Sequence, residues 1–340
     1  MLLRAAVLYL FFIFQLPELA AQDSLARYYF KKEKSFHLEN IDSVKYYSRK
    51  AIQEAERTHN IRVKIEALHE LAFNFRENAQ YDDALKTALE ARGLALSTTD
   101  SLLTANNSYI LGSIYFEKDN LKEAEKNYLL AIRVFGKQKL YDYQAYAQNG
   151  LANVYSYFQM NREADLYYTL ALATSKLSAN KRLPGTINNN LGHFYIKLKE
   201  YEKAEEYLDK AAKIFQDIGS YHDLAAVYFN SGFINISKKN YDFAIVEFKK
   251  CIQLGKSYHL FEDQKDAYKE LENVYKLGGN YEKAYEYADS FRIITEKLHT
   301  ADTEKKISEL EVKFRLQEKN AELKAKEAEI KSGEEKIKAE

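Results

Sequence analysis

The sequence repeats itself every 40 residues. Leu71, Leu111, Leu151, Leu191, Ser231 and Leu271 stand at that interval, and the residues after each anchor obey one frame. Four positions after the anchor comes Phe75, Tyr115, Tyr155, Tyr195 or Tyr275, with Asn235 the exception. Nine further on the residue is small: Ala84, Ala124, Ala164, Ala204, Ala244 and Ala284. Four after that come Ala88, Tyr128, Tyr168, Leu208, Phe248 and Ala288. Three later come Ala91, Ala131, Ala171, Ala211, Cys251 and Phe291. A weaker seventh unit precedes these, in which Val44, Ser48 and Ala51 match only the second half. A self-similarity this regular means one supersecondary element, copied and stacked on its neighbours.

The element is helical. Within each half-unit apolar residues recur at three and four, the spacing of one helix face. Turn residues separate the halves: Asp119-Asn120, Lys239-Asn240, Gly278-Gly279-Asn280. An aromatic or Leu comes next, at Tyr81, Leu121, Tyr201, Tyr241 and Tyr281. Each unit is therefore two antiparallel helices joined by a tight turn. Two Pro in 340 residues agree with a helical chain. The small residues let the paired helices approach, and the 28 Tyr and 19 Phe fill the space beside them. One hairpin cannot bury its own apolar face, so the hairpins must stack.

The skeleton Leu111-Gly112-x-x-Tyr115, repeated at Leu191-Gly192-x-x-Tyr195 and continued by Ala, a bulky residue and Ala, resembles the tetratricopeptide repeat. The resemblance covers about residues 25–298 and implies an all-α, TPR-like α-solenoid of antiparallel helix hairpins. Two departures stand out. Trp is absent, and Tyr28, Leu68, Ser108, Gln148, Asn188, Tyr228 and Tyr268 occupy the place where that family often carries it. The period is also about six residues longer than the family's usual 34. Longer helices or longer links between hairpins would absorb the difference, and the stretch Ser178–Gly185, which holds Pro184, suggests links.

Both ends differ from the array. Residues 1–21 carry Arg4, an apolar run Ala5–Leu16, Pro17, and the small residues Ala20-Ala21. That is the form of a secretory signal peptide cleaved after Ala21. The run is shorter than the roughly 20 residues of a membrane-spanning helix, so the expectation is an extracytoplasmic protein, periplasmic or beyond, without a membrane span once cleaved. The single Cys251 suits an oxidising compartment, where no second thiol can mispair with it. The array is expected to fill 22–300.

Residues 301–340 hold 10 Lys+Arg and 11 Asp+Glu. Leu316, Leu323, Ile330 and Ile337 recur every seven, with Ile307, Leu310 and Phe314 just before. The segment reads as one long charged helix with a narrow seam. That helix would be a weak coiled coil with a homodimer contact over 305–340, a solvated single helix, or a cap on the last hairpin. The stretch from Thr303 to Ile330 is similar to the linker after TPR arrays in bacterial signalling proteins. In that family an extracytoplasmic TPR region leads through a charged helix to a transmembrane helix and a histidine kinase or helix-turn-helix domain.

Chemistry is sparse. The seven histidines form no metal-ligand spacing, and no phosphate-binding glycine loop, nucleophile elbow or paired-cysteine motif occurs. Cys251 takes the slot that Ala fills elsewhere, as a packed thiol does. We expect no enzyme, no cofactor and no metal. With 50 Lys+Arg against 50 Asp+Glu the chain has no net charge, which argues against nucleic acid as partner. The expected function lies on the first helices, which are rich in Asn. An Asn amide can bond both the N–H and the C=O of a peptide backbone without demanding a sequence. Asn106, Asn149, Asn153, Asn189, Asn190, His193 and Asn230 are expected at or near a concave groove, with Tyr146 and Tyr157 adding apolar contact. That groove has no Lys/Arg cluster to clamp a free carboxylate. The partner is then a protein segment or extended peptide. The alternative, from the second resemblance, is the sensor region of a membrane-spanning two-component-type signalling protein.

Overall fold

The computed structural model describes residues 41–300. The expected signal peptide (1–21), residues 22–40 and the expected charged helix of 301–340 lie outside the described residues. The described residues form thirteen helices and no strand: α1 Ile41–Arg57, α2 Ile61–Glu77, α3 Tyr81–Leu96, α4 Ser101–Glu117, α5 Leu121–Lys137, α6 Tyr141–Tyr157, α7 Asn161–Ser175, α8 Leu183–Lys197, α9 Tyr201–Ile218, α10 Tyr221–Ser237, α11 Tyr241–Ser257, α12 Phe261–Leu277, and α13 over 281–300. They fall into two compact units, divided in the chain between Ser220 and Tyr221. The first contains α1–α9 and the second α10–α13.

The residues beyond the usual repeat length lie in the helices. Most are 17 residues long, and most links are three residues. A longer link occurs at 176–182, near the stretch the sequence suggested. The short links share one closure. Gln80 N–H donates to Phe75 O at 2.8 Å, Asn120 N–H to Tyr115 O at 2.8 Å, and Glu200 N–H to Tyr195 O at 3.0 Å. The residue just before each donor is left-handed: Ala79, Asp119 and Lys199 have φ of 54°, 58° and 60°. This closure satisfies the last carbonyls of one helix while reversing the chain into the next. The link at 97–100 is closed by side chains as well as by backbone bonds to Leu94 O and Ala95 O. Ser97 Oγ and Thr98 Oγ1 donate to Leu94 O and Ala95 O at 2.7 and 2.8 Å, and Asp100 Oδ1 accepts from the Leu102 and Leu103 N–H groups at the start of α4.

The repeating frame is the core. Ala84, Ala124, Ala164, Ala204 and Ala244 are all fully buried, as are Ala91, Ala131, Ala171, Ala211 and Cys251. They sit where two helices cross closely, and a larger side chain there would hold the backbones apart. The glycines do the same from the first helix. A Cβ on Gly192 would lie 2.5 Å from Leu208 Cδ2, and one on Gly232 would lie 2.5 Å from the Phe248 ring.

In the first unit each of α2, α4, α6 and α8 packs on its own second helix (α3, α5, α7, α9), and α2 touches α4, α4 touches α6 and α6 touches α8. These four first helices thus form one continuous wall. In the second unit α10 and α12 touch each other in the same way, with α11 packed on both. Among the described residues no helix is long and apolar enough to cross a membrane.

Candidate functional site

On α6, Asn149, Asn153 and Tyr157 are four residues apart and so lie along one strip. On α8, Asn189, His193 and Lys197 repeat that spacing. The two strips stand side by side in the wall of the first unit. Asn149 and Asn190 meet across it, Asn190 Nδ2 donating to Asn149 Oδ1 at 3.0 Å. Asn153 Oδ1 accepts a bond from the buried Tyr168 hydroxyl behind it. Tyr157 is 57% exposed and stands edge-on to Phe116 of α4, ring centroids 6.4 Å apart. His193 is exposed; partial desolvation and the charge of Lys197, one turn on, hold its imidazole below the ordinary value.

The other expected residues have mixed roles. Asn189 is half-buried on the same face. Asn106 is half-buried on α4. Tyr146 serves structure: its hydroxyl accepts from Asn180 Nδ2 at 3.1 Å. It thereby ties α6 to the long α7–α8 link, whose own turn Asn180 closes by accepting from Arg182 N–H at 3.1 Å. Asn230 is half-buried on α10, in the second unit.

Two tyrosine–carboxylate bonds hold α6 and α8 against the helices behind them. Tyr155 donates to Glu125 Oε1 at 2.8 Å and Tyr195 to Asp165 Oδ1 at 2.5 Å. Burial, aided by the carboxylate partner, raises both phenols above the ordinary value. Cys251 is buried, with its thiol pushed up to about 12 chiefly by desolvation and further by Asp263 and Asp266. A thiol so protonated is a packing group, not a nucleophile. Among the described residues no group of three or more His, Cys, Asp and Glu could hold a metal ion.

Sequence reasoning missed a cleft. It has a volume of about 460 Å³ and opens where α6 turns into α7. Its lining includes Tyr157, Gln159, Asn161, Phe194, Lys197 and Leu198. The available signal was the turn itself, Tyr157-Phe158-Gln159-Met160. Reasoning also missed His69 on α2, a buried imidazole whose Nε2 has no partner and whose pKa desolvation lowers to about 4.

The fold and the repeat have known counterparts. Profiles of the tetratricopeptide repeat match residues 105–137 and 184–257. Those two stretches are tetratricopeptide repeats, and the described helices have a TPR-like fold. No relative among curated proteins matches it. Solved structures do. A Rap protein complexed with Competence and Sporulation Factor is 13% identical, over 84% of this chain and 99% of that one, TM-score 0.52. Aspartyl phosphate phosphatase F from Bacillus subtilis is 14% identical, over 84% and 74%, TM-score 0.62. The Signal Transduction ATPase with Numerous Domains protein with a tetratricopeptide repeat sensor, from Pyrococcus horikoshii, is 21% identical, over 76% and 41%, TM-score 0.59. At these identities the likeness is one of fold.

Proposed function

We propose that this TPR protein is a non-catalytic, extracytoplasmic module that binds a protein segment or extended peptide along the α6–α8 wall of its first unit. The Asn149–Asn190 pair carries the reading. One bond joins the two amides, which leaves Asn149 Nδ2 to donate and Asn190 Oδ1 to accept. Those are the two groups needed to satisfy the C=O and N–H of a passing peptide backbone. A neighbour of similar fold, a Rap protein, is complexed with Competence and Sporulation Factor, which supports a binding role for this fold. The signal-like residues 1–21 support the extracytoplasmic location. The test is a peptide-array screen of the full chain beside variants Asn149→Ala, Asn153→Ala and Asn190→Ala. Binding lost in Asn149→Ala and Asn190→Ala is the expected result; unchanged binding moves the site elsewhere.

A second reading makes the chain the sensor region of a membrane-spanning signalling protein. The heptad-spaced tail and the TPR sensor of the Pyrococcus horikoshii neighbour favour it. The gene read beyond codon 340 decides: a stop codon there removes the idea, and an apolar run of about 20 residues supports it.

A further inference from the structure

At the turn between the first and second helix of a hairpin, the array is polar almost everywhere. The residues are Glu77-Asn78-Ala79-Gln80, Glu117-Lys118-Asp119-Asn120 and Ser237-Lys238-Lys239-Asn240, with a single leucine each in Lys197-Leu198-Lys199-Glu200 and Leu277-Gly278-Gly279-Asn280. The α6–α7 turn breaks the rule with Tyr157-Phe158-Gln159-Met160. Those side chains are only partly covered: Tyr157, Phe158 and Met160 are 57%, 38% and 40% exposed. Exposing three large apolar side chains on a tight turn forgoes stabilisation that polar residues at the same places would not need.

Beside them lies the 460 Å³ cleft. Phe194, buried, and Leu198 give it an apolar side. Gln159 and Asn161 bring amides, and Lys197 brings a cation. Lys197 forms no ion pair among the described residues, and the nearest acid in sequence, Glu200, is held by Lys203 at 2.5 Å. His193, one turn before Lys197 on the same strip, cannot neutralise it. The cleft thus offers an apolar seat and an exposed positive charge without an ion-pair partner among the described residues, at one edge of the wall that carries the Asn pair.

We infer that this cleft seats an apolar side chain of the bound peptide and that Lys197 pairs with a carboxylate next to it, so that the partner is an acidic-hydrophobic segment. One lysine here does not clamp a chain end; it selects for an acid beside the anchor. Asn149 and Tyr157 are two turns apart on α6, about 12 Å at 1.5 Å per residue. An extended peptide covers that in about four residues. The anchor therefore lies about four residues from the unit whose backbone meets Asn149 and Asn190. The inference rests on the wall being the binding surface.

The experiment selects random dodecapeptides displayed on phage against the full chain, then measures the enriched peptides by fluorescence polarisation. Three variants accompany it: Lys197→Glu, Tyr157→Ala, and Asn149→Ala with Asn190→Ala. The expected consensus is a large apolar residue beside Asp or Glu. Lys197→Glu should weaken it about tenfold or more, with recovery when the peptide acid becomes Lys. Peptides that bind, lose affinity in the double Asn variant, and ignore Lys197→Glu and Tyr157→Ala overturn this inference and leave the wall reading standing. No enriched peptide, or binding indifferent to all three variants, overturns both. Circular dichroism of each variant separates loss of contact from loss of fold.

Discussion

Asn149 and Asn190 sit 41 positions apart in sequence and 3.0 Å apart in space, joined amide to amide across two neighbouring first helices. The bond is structural, because Asn149 is only 9% exposed. Removing the Asn190 amide leaves the Asn149 carbonyl short of a donor, so Asn190→Ala should cost about 1 kcal/mol. The double variant should cost less than the two single changes together, since it leaves no orphaned half. A double-mutant cycle by urea denaturation measures the coupling; strict additivity would mean the two amides do not interact in solution.

Gly232 is where α10 meets Phe248 of α11. A Cβ there would stand 2.5 Å from two ring carbons. The ring cannot swing aside freely, because Phe229 and Phe233 pack edge-on against it at 5.7 and 6.0 Å. Gly232→Ala should therefore destabilise the second unit by about 1–3 kcal/mol. Adding Phe248→Leu, which frees space at the contact, should recover part of the loss. Amide hydrogen exchange in α10 and α11 reads the effect locally, which matters in a chain of two compact units.

Much of this core is legible in the sequence because helix crossings tolerate only small residues. Ala124, Ala204 and Ala244 announce the crossings by their spacing alone. Turn chemistry is less legible. Gly279 marks its turn openly, but most left-handed turn positions hold residues such as Lys139, Gln159 or Lys199, and no composition rule flags those. The choice between longer helices and longer links is hidden for the same reason. Helical spacing also places Asn149, Asn153 and Asn190 on the wall. It cannot show that two of these amides bond each other, or that Tyr168 and Asn180 claim Asn153 and Tyr146. Those choices depend on side-chain rotation and on the residue opposite, which periodicity does not encode.

The turn residues offer a direct gain in stability. Ala79, Lys139 and Gln159 hold φ of 54°, 56° and 59°, a conformation that crowds Cβ against the carbonyl and costs a non-glycine residue about 1 kcal/mol. Glycine fits there without strain, though its freer unfolded chain returns part of the gain. Lys139→Gly and Ala79→Gly should each stabilise by about 0.5 kcal/mol, and together their effects should add, since the turns are separate. The reverse change, Gly279→Ala at φ 76°, should destabilise. Thermal melts of the three variants test the sign; a loss on Lys139→Gly would mean that its side chain holds the turn.

His69 makes the stability of the first unit depend on pH. Its imidazole is buried on α2, Nε2 has no partner, and desolvation lowers its pKa from 6.5 to about 4. The unfolded chain therefore binds a proton that the folded chain refuses between those two values. Stability from this group is complete above about pH 6.5, falls as pH drops, and is fully lost below about pH 4. The largest loss is about 3 kcal/mol, at 1.4 kcal/mol per pH unit. His69→Leu, of similar volume and without a titrating nitrogen, should flatten the slope in urea unfolding curves taken from pH 7 to pH 4. If the slope persists unchanged in His69→Leu, another group sets the pH dependence and the imidazole is not neutral by burial.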